Sequence, residues 1–342
     1  MARSCVGVVG GGSWGTAIAQ ILGDNGRDTL LWLRDAEVAA EINESHRNSK
    51  YLPESALAPQ VVATTDLPRI GRECQVIFMV VPSHGLRDVA RTLGDHLDGS
   101  HVLIHAVKGI EPESFKRMSQ ILREETATRK IGVLSGPNLA KEVAQHHPSA
   151  TAIASRFEEV IEEGRRLLWS KSFRVYGSDD VVGTEIGGAL KNVMAIASGI
   201  ATGLGFGMNT MSLLLTRGLA EIARLGVAEG AQLLTFQGLS GIGDLMATCF
   251  SPLSRNYQVG LRLAKGERLD AIVGGMRQVA EGVKTTRTVF EWAKASGVYM
   301  PITEGVYRML FDAAKPQDVL SDLMDITRYV YEFETGTPPR RL

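Results

Sequence analysis

Short apolar runs alternate with amphipathic stretches through the first half of the chain. Residues 6–9, 30–33, 76–81, 102–107 and 131–134 are rich in Val, Ile and Leu and bounded by Gly, Pro or polar residues. That is the pattern of buried strands. Helical periodicity fills several of the intervals, as at 16–22, 36–45 and 86–97. Strand–helix alternation of this kind predicts a mainly parallel sheet covered on both faces. The pattern changes near Gly177. After a last strand at 173–176, helical patterning takes over at 182–203, 210–225, 255–265, 280–296 and 318–331. Gly203-Leu204-Gly205-Phe206-Gly207 marks a turn between the first two of these. The reading is a doubly wound α/β domain over residues 1–178 followed by an all-α domain over 179–342. The tail around Pro338-Pro339-Arg340-Arg341 is expected to fray.

The loop after the first strand carries the first chemical signal. Gly10-Gly11-Gly12-Ser13-Trp14-Gly15 fits G-x-G-x-x-G at Gly10, Gly12 and Gly15, between a buried strand and a helix. In that setting Gly10 permits the tight turn, Gly12 admits a pyrophosphate, and Gly15 allows close helix–strand packing. The helix start adds unpaired N–H groups and a favourable dipole. This predicts a Rossmann-type NAD(P) site. The second strand ends in Arg34-Asp35: the arginine favours a 2′-phosphate, the acid a free ribose, and an arginine with no role is the bland alternative.

Further candidates lie at strand and helix ends. Lys108 follows the 102–107 strand, where ligands of open α/β sheets bind; a solvated strand-end lysine is the competing reading. Lys191 is the lone charge within residues 186–200. Gly183, Gly187, Ala195 and Gly199 share its helical face, so another backbone or a ligand can come close. A desolvated Lys191 would have its pKa lowered toward proton transfer at neutral pH, whereas a snorkelling lysine would not. Asn192 beside it can add a polar contact. Asp244, after Gly241-Ile242-Gly243, either caps the next helix or orients a lysine or substrate hydroxyl. Ser254-Arg255-Asn256 opens a helical pattern and reads either as a phosphate site or as a capped surface helix.

Composition narrows the classes. The chain has 342 residues, 44% hydrophobic and 22% charged, with net charge −1. That profile is globular and gives no bulk electrostatic case for nucleic acid or anionic membrane. No apolar run is long enough to span a bilayer. Cys5, Cys74 and Cys249 are odd in number and far apart, without a CxxC pair. A metal cluster or disulfide framework is not expected, and a reducing cytoplasm fits.

Taken together and in order, these segments resemble the bacterial NAD(P)-dependent sn-glycerol-3-phosphate dehydrogenases over nearly the whole chain. The resemblance is carried by Gly10–Gly15, Val81-Pro82-Ser83 and Lys108-Gly109-Ile110. It continues through Ser135-Gly136-Pro137-Asn138-Leu139-Ala140-Lys141-Glu142-Val143 and Gly187-Gly188-Ala189-Leu190-Lys191-Asn192. It ends with Gly241-Ile242-Gly243-Asp244, Ser254-Arg255-Asn256 and Val279-Ala280-Glu281-Gly282. It implies a Rossmann domain, a helical substrate domain, and reversible conversion of glycerol 3-phosphate to dihydroxyacetone phosphate. It implies Lys191 as proton acceptor, with Lys108, Gly136, Asn138, Asn192, Asp244, Ser254, Arg255 and Asn256 around the substrate. Ser13, Trp14, Arg34, Lys108, Ala140, Arg255, Val279 and Glu281 match cofactor contacts. Asn138 stands where Ser or Thr is frequent, and an amide can still donate and accept.

On this reading neutral Lys191 takes the hydroxyl proton during oxidation. Lys108 favours a lower Lys191 pKa and Asp244 opposes it. A homodimer formed through the helical half and a role in glycerophospholipid synthesis are implied by the resemblance alone. Two rivals remain. One is a phosphogluconate- or hydroxyacid-type dehydrogenase, against which Ala195 stands where those enzymes often carry asparagine. The other is a non-enzymatic NAD(P) sensor.

Overall fold

The structure, a computed structural model, describes residues 5–276 and 280–324. Eight strands form one sheet: β1 (Cys5–Val9), β2 (Thr29–Trp32), β5 (Val61–Thr64), β6 (Cys74–Met79), β7 (Val102–His105), β8 (Lys130–Ser135), β9 (Ser149–Ser155) and β10 (Phe173–Ser178). Between β2 and β5, β3 (Arg47–Asn48) and β4 (Leu52–Ala56) pair with each other. The sheet order is β10-β9-β8-β7-β6-β1-β2-β5, parallel except where β8 meets β9. The chain runs outward from β1 in one direction, then returns to add β6 on its other side. The crevice between the carboxyl ends of β1 and β6 is therefore the topological switch point, where such sheets bind ligands.

Period-two alternation sends neighbouring residues of one strand into separate cores. Val76 and Phe78 of β6 enter the core shared with α1 (Ser13–Asp24), α2 (Ala36–Ser45) and α7 (Glu158–Leu168). Ile77 and Met79 enter the opposite core, under α3 (Leu67–Glu73), α4 (Leu86–Gly94) and α5 (Met118–Glu125). A short α6 (Ala140–Ala144) follows β8. Burial on both faces explains the near-continuous apolar runs.

After Ser178 the described chain is helical: α8 (Val181–Gly203), α9 (Met208–Ala228), α10 (Asp244–Phe250), α11 (Arg255–Ala264), α12 (Leu269–Gly274), α13 (Glu281–Ser296), α14 (Pro301–Phe311) and α15 (Pro316–Met324). Residues 183–200 of α8 are buried throughout, so it is the central post of this half. It crosses α11 at backbone contact. A Cβ on Gly199 would lie 2.0 Å from the Tyr257 carbonyl, and one on Gly260 would lie 2.0 Å from the Ile196 carbonyl. The small face expected around Lys191 thus admits other backbones.

Several expectations need adjustment. β6 stops at Met79 and β7 at His105, so Lys108 stands three residues beyond its strand. The Ala106 N–H still donates to the Met79 carbonyl, which keeps that exit ordered. The helix expected over 86–97 ends at Gly94, where a Cβ would meet the Glu125 carbonyl at 2.2 Å. β9, β5 and the β3–β4 pair were not expected. The last helix begins at Pro316, and its expected continuation to 331 falls outside the described residues.

Candidate active site

The glycine loop sits at the switch point. Gly10 adopts φ +125°, and a Cβ there would approach the Val80 carbonyl to 2.5 Å. A Cβ on Gly15 would fall 1.7 Å from the Gly10 carbonyl. Only glycine fits either position. Nothing lies within 4 Å of a Cβ on Gly12, which caps α1 without a side-chain bond. Two glycines close the turn and the third leaves room before open N–H groups, a cradle suited to a pyrophosphate. Ser13 donates to the Tyr51 carbonyl at 2.9 Å. Trp14 and Ala140 pack against one small cluster of Ala17, Leu52 and Ala144.

At the end of β2, Arg34 is exposed. Asp35 is already engaged. One oxygen accepts from the Glu37 and Val38 N–H groups at the start of α2, and the other pairs with Lys50 at 2.7 Å. Those contacts, the Lys50 hydrogen bond first, hold the Asp35 carboxyl below its ordinary value. Lys50 was not singled out in the sequence, where nothing marks it as Asp35's partner.

Across the crevice, α8 and α10 bring Lys191 and Asp244 together with Lys108. Lys108 Nζ donates to Asp244 Oδ2 at 2.5 Å, and Lys191 Nζ donates to Asp244 Oδ1. Lys191 also donates to Thr248 Oγ1 at 2.6 Å. Ser135, at the end of β8, reaches Asp244 Oδ2 at 3.5 Å. Asp244 and Lys191 are buried and Lys108 is partly exposed. Asp244 therefore does not cap its helix; it is the first residue of α10 and binds both lysines. Thr248 lies four residues on, on the same helical face, a spacing that could have identified it.

This geometry decides the balance the sequence left open. Burial drives the Lys191 ammonium toward its neutral form, Asp244 resists, and Lys108 adds like-charge repulsion. The result is a pKa lowered to about 7. A lysine so placed can give or take a proton at neutral pH.

The remaining candidates lie on neighbouring elements. Asn256 Nδ2 donates to Asn192 Oδ1 at 2.9 Å and the Gly282 N–H donates to Asn256 Oδ1 at 2.9 Å, linking α8, α11 and α13. Ser254 caps α11 by accepting from the Tyr257 N–H. Arg255, first in that helix, is exposed at its side chain, yet nearby protein atoms lower its pKa and Glu281 opposes them. Glu281 accepts from Ser83 Oγ at 2.6 Å, which ties α13 to the loop after β6. Gly136 is buried just beyond β8. Asn138 spends its amide on β9, donating to the Ala150 carbonyl and accepting from Thr151 Oγ1. Val279 lies outside the described residues.

Below the site, Glu185 of α8 is buried against the sheet domain. It receives Arg117 at 2.5 Å and the Ser119 N–H at 2.7 Å, and His105 of β7 lies 3.1 Å away. Burial alone would raise its pKa; His105, Arg117 and Ser119 outweigh it and bring it to about 2. The sequence reading passed over Glu185.

Comparisons with known proteins identify the family. Residues 5–161 match the family model of the NAD-dependent glycerol-3-phosphate dehydrogenase N-terminus, and 180–321 match that of its C-terminus. The chain is 47% identical over 319 residues to a glycerol-3-phosphate dehydrogenase (NAD(P)+) of Acinetobacter baylyi, covering 93% of this chain and 89% of that one. Its identity to the enzyme of that name from Halothermothrix orenii is 44%, covering 93% and 94%. The crystal structure of glycerol-3-phosphate dehydrogenase from Coxiella burnetii superimposes with a TM-score of 0.90 at 32% identity, covering 94% of this chain and 99% of that one.

Proposed function

Because the chain belongs to the NAD-dependent glycerol-3-phosphate dehydrogenase family, and is thus an oxidoreductase working with NAD or NADP, we propose that Lys191 is the acid/base of its interconversion of sn-glycerol 3-phosphate and dihydroxyacetone phosphate. The carrying observation is the buried Lys191 with a pKa of about 7, sharing Asp244 with Lys108. When bound in the Gly10–Gly15 cradle, NAD(P) supplies the hydride chemistry. In the oxidation direction neutral Lys191 Nζ accepts the proton of the C2 hydroxyl. In reduction the protonated Nζ returns it to the carbonyl oxygen. Lys108 is cationic at the same edge and favours negative charge building on that oxygen. Asp244 holds both ammonium groups toward one point.

Ser254, Arg255 and Asn256 open α11, a helix of 10 residues. Its N–H groups, dipole and a guanidinium fork suit the substrate phosphate. Asn192 orients the wall through Asn256. Gly136 and Asn138 border the substrate from the β8 side. Ser13, Trp14, Ala140 and Glu281 border the cofactor, and Val279 is carried over to it from the resemblance alone. Exposed Arg34, beside an Asp35 already committed to Lys50, favours NADP as well as NAD.

We propose that this reversible interconversion supplies sn-glycerol 3-phosphate for glycerophospholipid synthesis in the cytoplasm. A homodimer formed through the helical half is carried over from the resemblance alone. No helix among the described residues is long and apolar enough to cross a membrane. The deciding experiment follows dihydroxyacetone phosphate reduction with NADH and NADPH in parallel. Absence of turnover with both would refute the assignment; preference for a carboxylated substrate would favour a hydroxyacid dehydrogenase instead.

A further inference from the structure

Cys5 opens β1 and Cys74 opens β6, and the two are partners in the parallel ladder. Their Sγ atoms lie 2.6 Å apart, well inside van der Waals contact. A disulfide is about 0.5 Å shorter still. The register shifts just after Cys5, between it and Val6, which frees the first residue from the regular ladder. Cys5 is half-buried, so a small reagent can reach it; Cys74 is completely buried behind it. The thiol–thiol contact, the Cys5 bond to the Glu73 carbonyl at 3.2 Å, and the charges of Arg69 and Glu73 define its surroundings. The remaining thiol, Cys249, is buried in α10 in the helical half.

We propose that Cys5 and Cys74 are a modification site, a dithiol that closes reversibly to a disulfide by exchange with a small-molecule disulfide. The two-residue order of events follows from exposure. The accessible Cys5 thiolate attacks one sulfur of the reagent RSSR, forming Cys5–S–S–R and releasing RS⁻, which takes up a proton. Cys74, deprotonated by solvent base as the strand end breathes, then attacks Cys5 Sγ and expels the second RSH. The balance is one RSSR reduced to two RSH while two protein thiols are oxidised to one disulfide. The pairing itself suits the second attack. Cys74 is held protonated chiefly by its contact with Cys5, then by burial. The first of these disappears once Cys5 Sγ is in a mixed disulfide.

The bond would fasten β1 to β6 at their amino ends. Their carboxyl ends carry the Gly10 loop and Val80, which frame the cofactor crevice. The closed loop spans β1, α1, β2 and the ribose-end residues Arg34 and Asp35, and a cross-link over so long a loop restricts the unfolded chain strongly.

The test incubates the whole protein with oxidised glutathione. Thiol titration under denaturing conditions is expected to fall from three groups to one. A non-reducing digest should yield the Cys5 and Cys74 peptides joined within one chain. The unfolding midpoint should rise by roughly 5 °C and return to its starting value with dithiothreitol. Cys74→Ala should instead retain a glutathione adduct on Cys5 and show no rise. Three thiols remaining, a stable glutathione adduct on wild-type Cys5, or a cross-link only between two chains would each overturn the proposal.

Discussion

Lys191 and Lys108 bind the two oxygens of a single carboxylate, so two cations from different halves of the fold are held a few ångströms apart over Asp244. Their mutual repulsion and the burial of Lys191 set the site near neutrality. Replacing Lys191 by Ala should reduce turnover at saturating substrate and cofactor by about 10²–10⁴-fold while leaving cofactor binding intact. Steady-state kinetics with fluorescence titration of NADPH checks both. Turnover within a few-fold of wild type would remove Lys191 from the chemistry.

The pH dependence carries the sign. With Lys191 in the proposed role, oxidation needs it neutral, so kcat/KM for glycerol 3-phosphate should climb as pH rises through about 7, and reduction should decline over the same range. Asp244 raises the Lys191 pKa and Lys108 lowers it. Asp244→Asn should therefore move the limb to lower pH, and Lys108→Met should move it to higher pH. Profiles that shift in the same direction would contradict this electrostatic picture.

The proposed reading places cofactor choice at the end of β2. Arg34→Ala should weaken NADPH by about tenfold to a hundredfold, the worth of a charge-assisted phosphate contact, with little change for NADH. Lys50→Gln should release one oxygen of Asp35 from its 2.7 Å pair and shift the ratio of KM values toward NADH. An unchanged NADPH-to-NADH ratio in both variants would locate the selectivity elsewhere.

Glu185 has a folded-state pKa of about 2, below its ordinary 4.5. Between these values the unfolded chain binds the extra proton, so the group's stabilisation is full above 4.5 and is lost as pH falls toward 2. Glu185→Gln leaves Arg117 and His105 without their anion and should destabilise the protein by about 3–5 kcal/mol at pH 7. The gap between variant and wild type should narrow on acidification. Chemical denaturation at pH 7 and pH 4 measures it; a gap that stays constant would show that the charge is not responsible.

What could be read in the sequence was local or densely apolar. β1, β2 and β8 announce themselves because both faces are buried, so Val, Ile and Leu cluster in them on consecutive positions. β9, Ser149-Ala150-Thr151-Ala152-Ile153-Ala154-Ser155, dilutes that signal with small polar residues and escaped notice. The glycine loop, Lys108, Lys191 and Asp244 were visible as types at telling positions, but which groups touch was not. Asp244 read more readily as a cap, since only the meeting of α8, α10 and the β7 exit engages its oxygens. Cys5 and Cys74 looked unrelated for the same reason: they stand 69 positions apart, and the chain between them folds out and back to the central strand before β6 arrives beside β1.

The Glu185 cluster also determines where this molecule can flex. Parting α8 from β7 and α5 would strand a buried carboxylate, a guanidinium and two N–H or O–H donors, at a cost of several kcal/mol. That seam behaves as a weld. The contact between Ser83 and Glu281 is partly solvated and consists of one short segment on each side, so it parts at much lower cost. Of the two contacts, the one between Ser83 and Glu281 is therefore the less costly to open, while Glu185 keeps α8 and its lysine against the sheet.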